Sequence, residues 1–388
     1  MDLRNLPENL SSHERCAHRR MQIQDTLNVN LSLLGTEPSR IGQAEEKNCE
    51  QMFGSVPIPV GYAGPLKATF SSLETSTLHL PLATTEAALV ASVNRGCKAV
   101  SEGDGIKLTS IYHGISRTIA FKSEKNIDQL INSIKKNEDE WKAVGEATSN
   151  HLKILSYDID TDDNYLFLTL NADTDEAMGM NMITIAAQEI GNRICTDMPS
   201  ARLITIAGNI DSDKKPSKRT HHKGRGYEVT ATCHLTSETC TEILKTTPEA
   251  MLEVAEAKLK RGSKIAGAIG SNLHAANIIA ALYLATGQDA AHTVEGSLAD
   301  TTVEQITNHE LQITTRLPAL LCGVRGGGTE LPAQHQCLAL LLKPNTSNLK
   351  PAQQLAESIG AAVLAGEISL LAAQAAQKLA SSHKKMAR

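Results

Sequence analysis

Between about residue 108 and residue 206 the chain alternates strand-like and helix-like patterns twice over. Residues 108 to about 122 read as a strand, and 126–149 is charged with helical character. Residues 164–170 read as a second strand, 178–192 as a second helix and 200–206 as a further strand. A β-α-β, β-α-β alternation within about 90 residues predicts a small α/β sandwich of the split βαβ type. At 388 residues the chain exceeds what a typical single core organises, so two or three domains are expected.

Elsewhere the patterns are mixed. Residues 1–48 are polar with helical character. The stretch Gly54-Ser55-Val56-Pro57-Ile58-Pro59-Val60-Gly61-Tyr62-Ala63-Gly64-Pro65-Leu66 carries three prolines and three glycines, which predicts turns and extended chain at a buried place. Residues 75–81 read as a strand. A helix is predicted over 86–98, with Ser92, Arg95 and Lys98 three apart on one face. Residues 227–235 read as a strand, 237–246 and 249–261 as helices, and 277–286 as a buried helix stopped by Gly287. An Ala/Leu-rich helix is predicted over 352–382.

Asp213-Lys214-Lys215-Pro216 sets two ammonium groups beside a carboxylate. Proline fixes its own φ and biases Lys215 away from helix, while Gly208-Asn209 upstream tolerates backbone shapes other residues resist. A lysine held near a carboxylate can stabilise a developing oxyanion. Taken alone, the same tetrapeptide is more often a solvated loop.

Composition removes several function classes. Aromatics are 3% of residues, with the single Trp141, so the core is aliphatic and base-stacking platforms for nucleic acid are not indicated. A net charge of −5, mixed in sign along the chain, points to neither nucleic acid nor membrane. The eight cysteines are scattered with no Cys-x-x-Cys pair, which is reduced, cytoplasmic usage and no metal site. The N-terminus lacks the apolar stretch of a signal peptide. The apolar run 278–285 is far short of the roughly 20 residues a membrane helix needs.

An ordered set of motifs is more specific. In turn come Val56 through Leu66 as quoted above, Ala83-Thr84-Thr85-Glu86, Asn94-Arg95-Gly96-Cys97-Lys98 and Glu176-Ala177-Met178-Gly179-Met180-Asn181-Met182. Asp213-Lys214-Lys215-Pro216, His274-Ala275-Ala276-Asn277 and Thr286-Gly287-Gln288-Asp289-Ala290-Ala291 follow. The last are Gly326-Gly327-Gly328-Thr329 and Gly366-Glu367-Ile368-Ser369-Leu370, leading to His383. From about residue 48 onward the chain resembles the soluble catalytic part of 3-hydroxy-3-methylglutaryl-coenzyme A (HMG-CoA) reductases. The resemblance implies an α+β fold. A large HMG-CoA-binding domain built around a central helix would span 49–118 and 206–388. A ferredoxin-like (split βαβ) cofactor domain would be inserted at 119–205, after a helical segment at 1–48. No Gly-x-Gly-x-x-Gly follows a strand, so a Rossmann domain is not indicated.

The resemblance implies NADPH-dependent, four-electron reduction of HMG-CoA to mevalonate and coenzyme A by a cytoplasmic homo-oligomer. That assembly would be a dimer or dimer of dimers, with active sites at the subunit interface. It implies Glu86, Lys214, Asp289 and His383 as the catalytic set. Lys214 would meet the charge that each hydride addition builds on the carbonyl oxygen. Glu86 and Asp289 would move protons, with burial raising a carboxylate's pKa to make it an acid. His383 would protonate the departing thiolate. Arg117, Asp213 and Lys215 would hold the HMG carboxylate. Ser92, Asn94, Arg95, Lys98, Lys245 and His274 would take coenzyme A, and Asn277 would orient the catalytic groups. Cofactor contacts would come from Ser149, Asn150, Glu176, Met178, Gly179, Met180, Asn181, Met182, Gly326, Gly327, Gly328, Thr329 and Arg388. Taken singly, Asp289 also suits a helix-end turn, Glu86 a first-turn carboxylate and His383 a solvated tail.

Three positions depart from the family pattern: Glu176 stands for Asp, Ala207 for Ser and Asn150 for an arginine that serves the NADP 2′-phosphate. Lys384, Lys385 and Arg388 offer replacement charge. Asn150 keeps open an NAD-dependent enzyme oxidising mevalonate. Ala207 and Glu176 keep open a non-catalytic coenzyme A-ester-binding paralogue. Because the sequence stops at Arg388, control by phosphorylation of a following serine is not expected.

Overall fold

One long strand organises the sheet. The computed structural model describes residues 9–307, 310–342 and 349–377, with Leu3, Leu6 and Pro7. Among the described residues the strands are β1 (Val60–Thr69), β2 (Thr75–Ala83), β3 (Ile106–Ser123), β4 (Lys153–Asp162), β5 (Tyr165–Asp173), β6 (Ala201–Thr205), β7 (Gly226–Thr236), β8 (Asp300–Thr307) and β9 (Glu310–Leu320). The first part of β3 pairs with β7 and, in parallel, with β1. Its second part, from Ile115, pairs with β5 and β6. Gly114 marks the change: its φ is 81°, and a Cβ there would lie 2.9 Å from the Ala172 carbonyl oxygen. Glycine therefore permits the close approach of β5. One branch runs β2-β1-β3-β7-β9-β8 and the other β4-β5-β3-β6, giving a mixed α+β architecture.

The main helices are α1 (Ser12–Leu27), α2 (Leu89–Ser101), α3 (Ile127–Lys136), α4 (Glu138–Glu146), α5 (Met180–Asp197), α6 (Pro248–Ala255), α7 (Ala275–Thr286), α8 (Pro332–Leu341) and α9 (Pro351–Ala375). A capping box between Ser11 and Glu14 starts α1. Each branch of the sheet has its own apolar core. Leu80, Val93, Ile278, Leu317 and Ile359 belong to one, and Ile119, Trp141, Leu168 and Ile190 to the other.

Helix α9 crosses the first core. It is long and apolar enough to span a membrane, yet 94% of its most apolar window is buried inside the protein. Among the described residues it, and not 278–285, is the helix that passes that length and composition, and its environment is that of a core helix. Two glutamates are buried in it, each fully partnered. Glu357 accepts from Ser71 and Ser110. Glu367 accepts from the Leu273 and His274 N–H groups and from Thr301. Those bonds offset the cost of burying charge. Small residues let α2 lie against α9, since a Cβ on Gly96 would fall 1.8 Å from the Ala365 carbonyl oxygen.

Several sequence expectations shift. The Pro/Gly stretch is not buried throughout: Val56 is 75% and Val60 53% exposed, and its second half becomes β1. Pro65 is tolerated because the β1–β2 register slips between Ala63 and Leu66. The helix expected from residue 86 begins at Leu89, because Ala88 takes φ 72°. Glu86 therefore lies in the preceding turn. Strands β4, β8 and β9 had no counterpart in the sequence reading.

Candidate active site

The Lys214 loop joins β6 to the short helix Lys218–Lys223 and is pinned to β3. Gly208 N donates to the Thr118 carbonyl at 2.7 Å and Asp211 N to the Thr118 hydroxyl at 3.0 Å. Three non-glycine residues of the loop, Asn209, Ser212 and Lys214, take positive φ (68°, 52° and 57°). Such conformations cost about 1–3 kcal/mol each and persist only where surroundings impose them. The loop delivers Lys214 Nζ to 2.8 Å from Asp289 Oδ2.

Asp289 comes from the other side. Helix α7 ends at Gly287 in the left-handed conformation, and Asp289 then caps a short helical turn by accepting from Ala291 N at 3.0 Å. Burial raises the Asp289 pKa, but the Lys214 hydrogen bond, the Ala291 N–H and His292 outweigh it, and the net shift is down. Lys214 is held above its ordinary value, chiefly by the Asp289 hydrogen bond and against the opposing effect of burial. The pair is charged on both sides. Of the two expected proton-moving carboxylates, Asp289 is not raised by burial, because its partners win over desolvation.

Behind the pair lies a buried network that the sequence reading did not name. Arg225, 2% exposed, donates to Ser116 Oγ and the Ser116 carbonyl, to Asp213 Oδ1 at 3.1 Å and to Glu295 Oε1 at 2.7 Å, and touches Met180 Sδ at 3.1 Å. Glu295 and His292 are fully buried. Asp211 is raised by burial, against the pull of Arg225 and Arg117. A polar cavity of about 220 Å³ opens beside Asp211, Arg225, Ser116 and Arg219. The one signal in sequence was Arg225 standing between two glycines; its partners are remote along the chain.

The predicted substrate residues are placed as follows. Arg117 lies 3.6 Å from Asp213 and 3.7 Å from Asp211, and Lys215 Nζ donates to the Asp213 carbonyl at 3.0 Å. Ser92 and Arg95 do not present an open stripe with Lys98. Both bond Ser369 on α9, while Lys98 is exposed near Glu102. Asn94 accepts from Gly64 N at 2.9 Å. Lys245 is exposed, His274 precedes α7 and Asn277 sits in its first turn. Glu86 is exposed, its N–H on the Thr84 hydroxyl. His383 and Arg388 lie outside the described residues.

The predicted cofactor segments meet. Val324 N donates to the Glu176 carbonyl at 2.8 Å, and Ala177 bridges Arg325. Gly179, at φ 90°, leads into α5, whose first turn carries Met180, Asn181 and Met182. Met178 packs against the second core, and Ser149 donates to Met182 Sδ. Gly287 and Gly328 approach so closely that a Cβ on Gly287 would fall 2.2 Å from the Gly328 carbonyl oxygen. This puts the Asp289 turn against the Gly326-Gly327-Gly328-Thr329 loop. A Cβ on Gly326 or Gly327 would meet nothing within 4 Å. Open glycine backbone near the start of a long helix fits a phosphate-bearing cofactor. The Glu176 carboxylate turns elsewhere, accepting from Ala352 N at 2.8 Å in the first turn of α9. Asn150 is exposed, next to His151, which pairs with Asp175.

A family model described as hydroxymethylglutaryl-coenzyme A reductase matches residues 15–388. The 3-hydroxy-3-methylglutaryl-coenzyme A reductase of Pyrococcus abyssi is 38% identical over 376 residues, covering 95% of this chain and 92% of that protein. That of Methanocaldococcus jannaschii is 39% identical over 352 residues, covering 89% and 86%. Among solved structures, the class II 3-hydroxy-3-methylglutaryl-CoA reductase from Streptococcus pneumoniae bound to NADPH aligns with a TM-score of 0.67 at 17% identity. It covers 92% of this chain and 96% of that one, a likeness of fold.

Proposed function

The chain belongs to the hydroxymethylglutaryl-coenzyme A reductase family, and from that membership we infer that it reduces HMG-CoA to mevalonate and free coenzyme A. The observation that carries this reading to particular atoms is the Lys214–Asp289 contact at 2.8 Å. Reducing a thioester to an alcohol passes through a hemithioacetal and an aldehyde, and each stage places negative charge on one substrate oxygen. The Lys214 ammonium meets that charge, and one such donor is worth about 3 kcal/mol of barrier. Asp289 keeps Lys214 protonated and aims it. Glu86 is assigned proton movement, and His383 protonation of the thiolate.

NADPH is the proposed cofactor, and when bound it supplies the hydrides. The α5 N-terminus with Gly179, Met180, Asn181 and Met182, and the Gly326 to Thr329 loop, would hold it. The segment from the second part of β3 to β6 is read as a ferredoxin-like cofactor unit. Its antiparallel order β4-β5-β3-β6 and separate core support that division. Arg117, Asp213 and Lys215 are assigned the HMG carboxylate, a fork suiting a carboxylate. A dimer with shared sites and a cytoplasmic location complete the reading. NADH remains the second cofactor reading, because Asn150 is uncharged and its neighbour His151 faces Asp175.

The test is loss of NADPH absorbance on adding HMG-CoA, repeated with NADH and with Lys214→Ala. Turnover is expected in the parent, with a higher kcat/KM for NADPH. Undiminished turnover in Lys214→Ala would sink the assignment.

A further inference from the structure

We propose that Glu295 is a positioning residue for the Lys214–Asp289 pair, an inference that rests on the reductase reading. Its buried carboxylate bonds the backbone of one partner and the imidazole that lies beside the other. On one side, Oε1 accepts the backbone N–H of Lys214 at 2.7 Å. Lys214 is in the left-handed conformation, which a lysine holds only where its neighbours impose it. On the other side, His292 Nδ1 lies 3.3 Å from Glu295 Oε2, and its Nε2, with no hydrogen-bond partner, lies 3.8 Å from Asp289 Oδ2. One carboxylate thus fixes the lysine through its backbone and sets an imidazole beside the aspartate.

Arg225 completes the device. Its guanidinium neutralises Glu295 at 2.7 Å and spreads its other donors over Asp213 and Ser116. It also touches Met180, the first residue of α5, so the pair is tied to the proposed cofactor segment. Asp213, His292 and Glu295 are close enough to hold a metal ion. Arg225 already contacts both Glu295 Oε1 and Asp213 Oδ1, and a second cation there would meet its charge. Glu295 has no exposed surface, which makes it a positioning residue and not a proton donor to substrate.

The charges facing the Lys214 ammonium are Asp289, Asp213 and Glu295, all of which favour its protonated form. Those facing Asp289 are Lys214 and His292. Glu295→Gln keeps the shape and removes one negative charge. The purified full chain is assayed for HMG-CoA reduction as parent, Glu295→Gln and Ser116→Ala, with circular dichroism and thermal melting alongside. In Glu295→Gln, kcat is expected to fall about 10- to 100-fold, because small misplacements of reacting groups cost that much. KM for HMG-CoA should stay within about threefold, and the basic limb of the pH profile should move to lower pH. Ser116→Ala removes one Arg225 acceptor and no charge. It should lower kcat about threefold with the pH profile unmoved, and it reads the network even if Glu295→Gln does not fold. Parent-like kcat per folded molecule in the folded variants, with an unmoved pH profile in Glu295→Gln, overturns the proposal. A parent that does not turn over HMG-CoA sinks the reductase reading itself, a separate outcome.

Discussion

Lys214 and Asp289 hold each other charged, and the signs fix where that ends. Lys214 is raised above 10.5, so its contribution is complete below that pH and is lost as pH rises through the folded value. Asp289 is lowered from 3.8, so its contribution is present above that pH and is lost as pH falls through the folded value. The pair is intact across the whole neutral range. A basic limb due to Lys214 should therefore lie above the ordinary lysine value, and any loss of kcat between about pH 7 and 9 belongs to another group. In Asp289→Asn the limb should move down, with kcat lower by about 100-fold, read from pH–rate profiles. The side chains are 44% and 37% exposed, so the pair contributes at most about 1 kcal/mol to stability. Asp289→Asn should consequently melt within about 2 °C of the parent while losing activity. A large melting shift would mean that the aspartate is a structural cap before it is a catalytic partner.

Two glycines separate backbone need from packing need. Gly287 ends α7 at φ 73°, and an added Cβ would strike the Gly328 carbonyl, which is backbone and cannot rotate away. Gly287→Ala should cost about 3 kcal/mol or more and abolish turnover, since Asp289 follows two residues later. Gly327 is also at positive φ, 56°, but faces open space. Gly327→Ala should cost only about 1–2 kcal/mol, and denaturant midpoints of the two variants compare them directly. The stop at Gly287 was legible in sequence because helix periodicity and a C-terminal glycine agree. The start of α2 was not: Ala88 takes a left-handed φ that nothing in its residue type announces. Strand β1 was hidden by Gly61, Gly64 and Pro65, which usually break strands; here Gly64 and Pro65 occupy a register slip and Gly61 pairs regularly with Leu82. The Lys214 loop and its motif neighbours could be read from order alone. Arg225 and Glu295 could not, because they lie 70 positions apart and only folding joins them.

Within one chain Lys214 and Asp289 are in contact, while Glu86 stands exposed on a turn after β2. Nearby in sequence, Val56, Val60 and Tyr62 are 75%, 53% and 51% exposed. Exposed large apolar groups on one short segment are what a partner surface would cover. In the proposed dimer, a symmetric interface over that segment would bring the Glu86 of one copy to the Lys214 of the other. Subunit mixing tests this without any structure of the assembly. Glu86→Ala and Lys214→Ala should each be inactive alone. If the site is shared, a mixed dimer of the two variants holds one site with both residues intact and one with neither. With random pairing about half the dimers are mixed, so about a quarter of parent activity should return on co-expression. If each chain supplies its own Glu86, every site in the mixture lacks one residue and no activity returns.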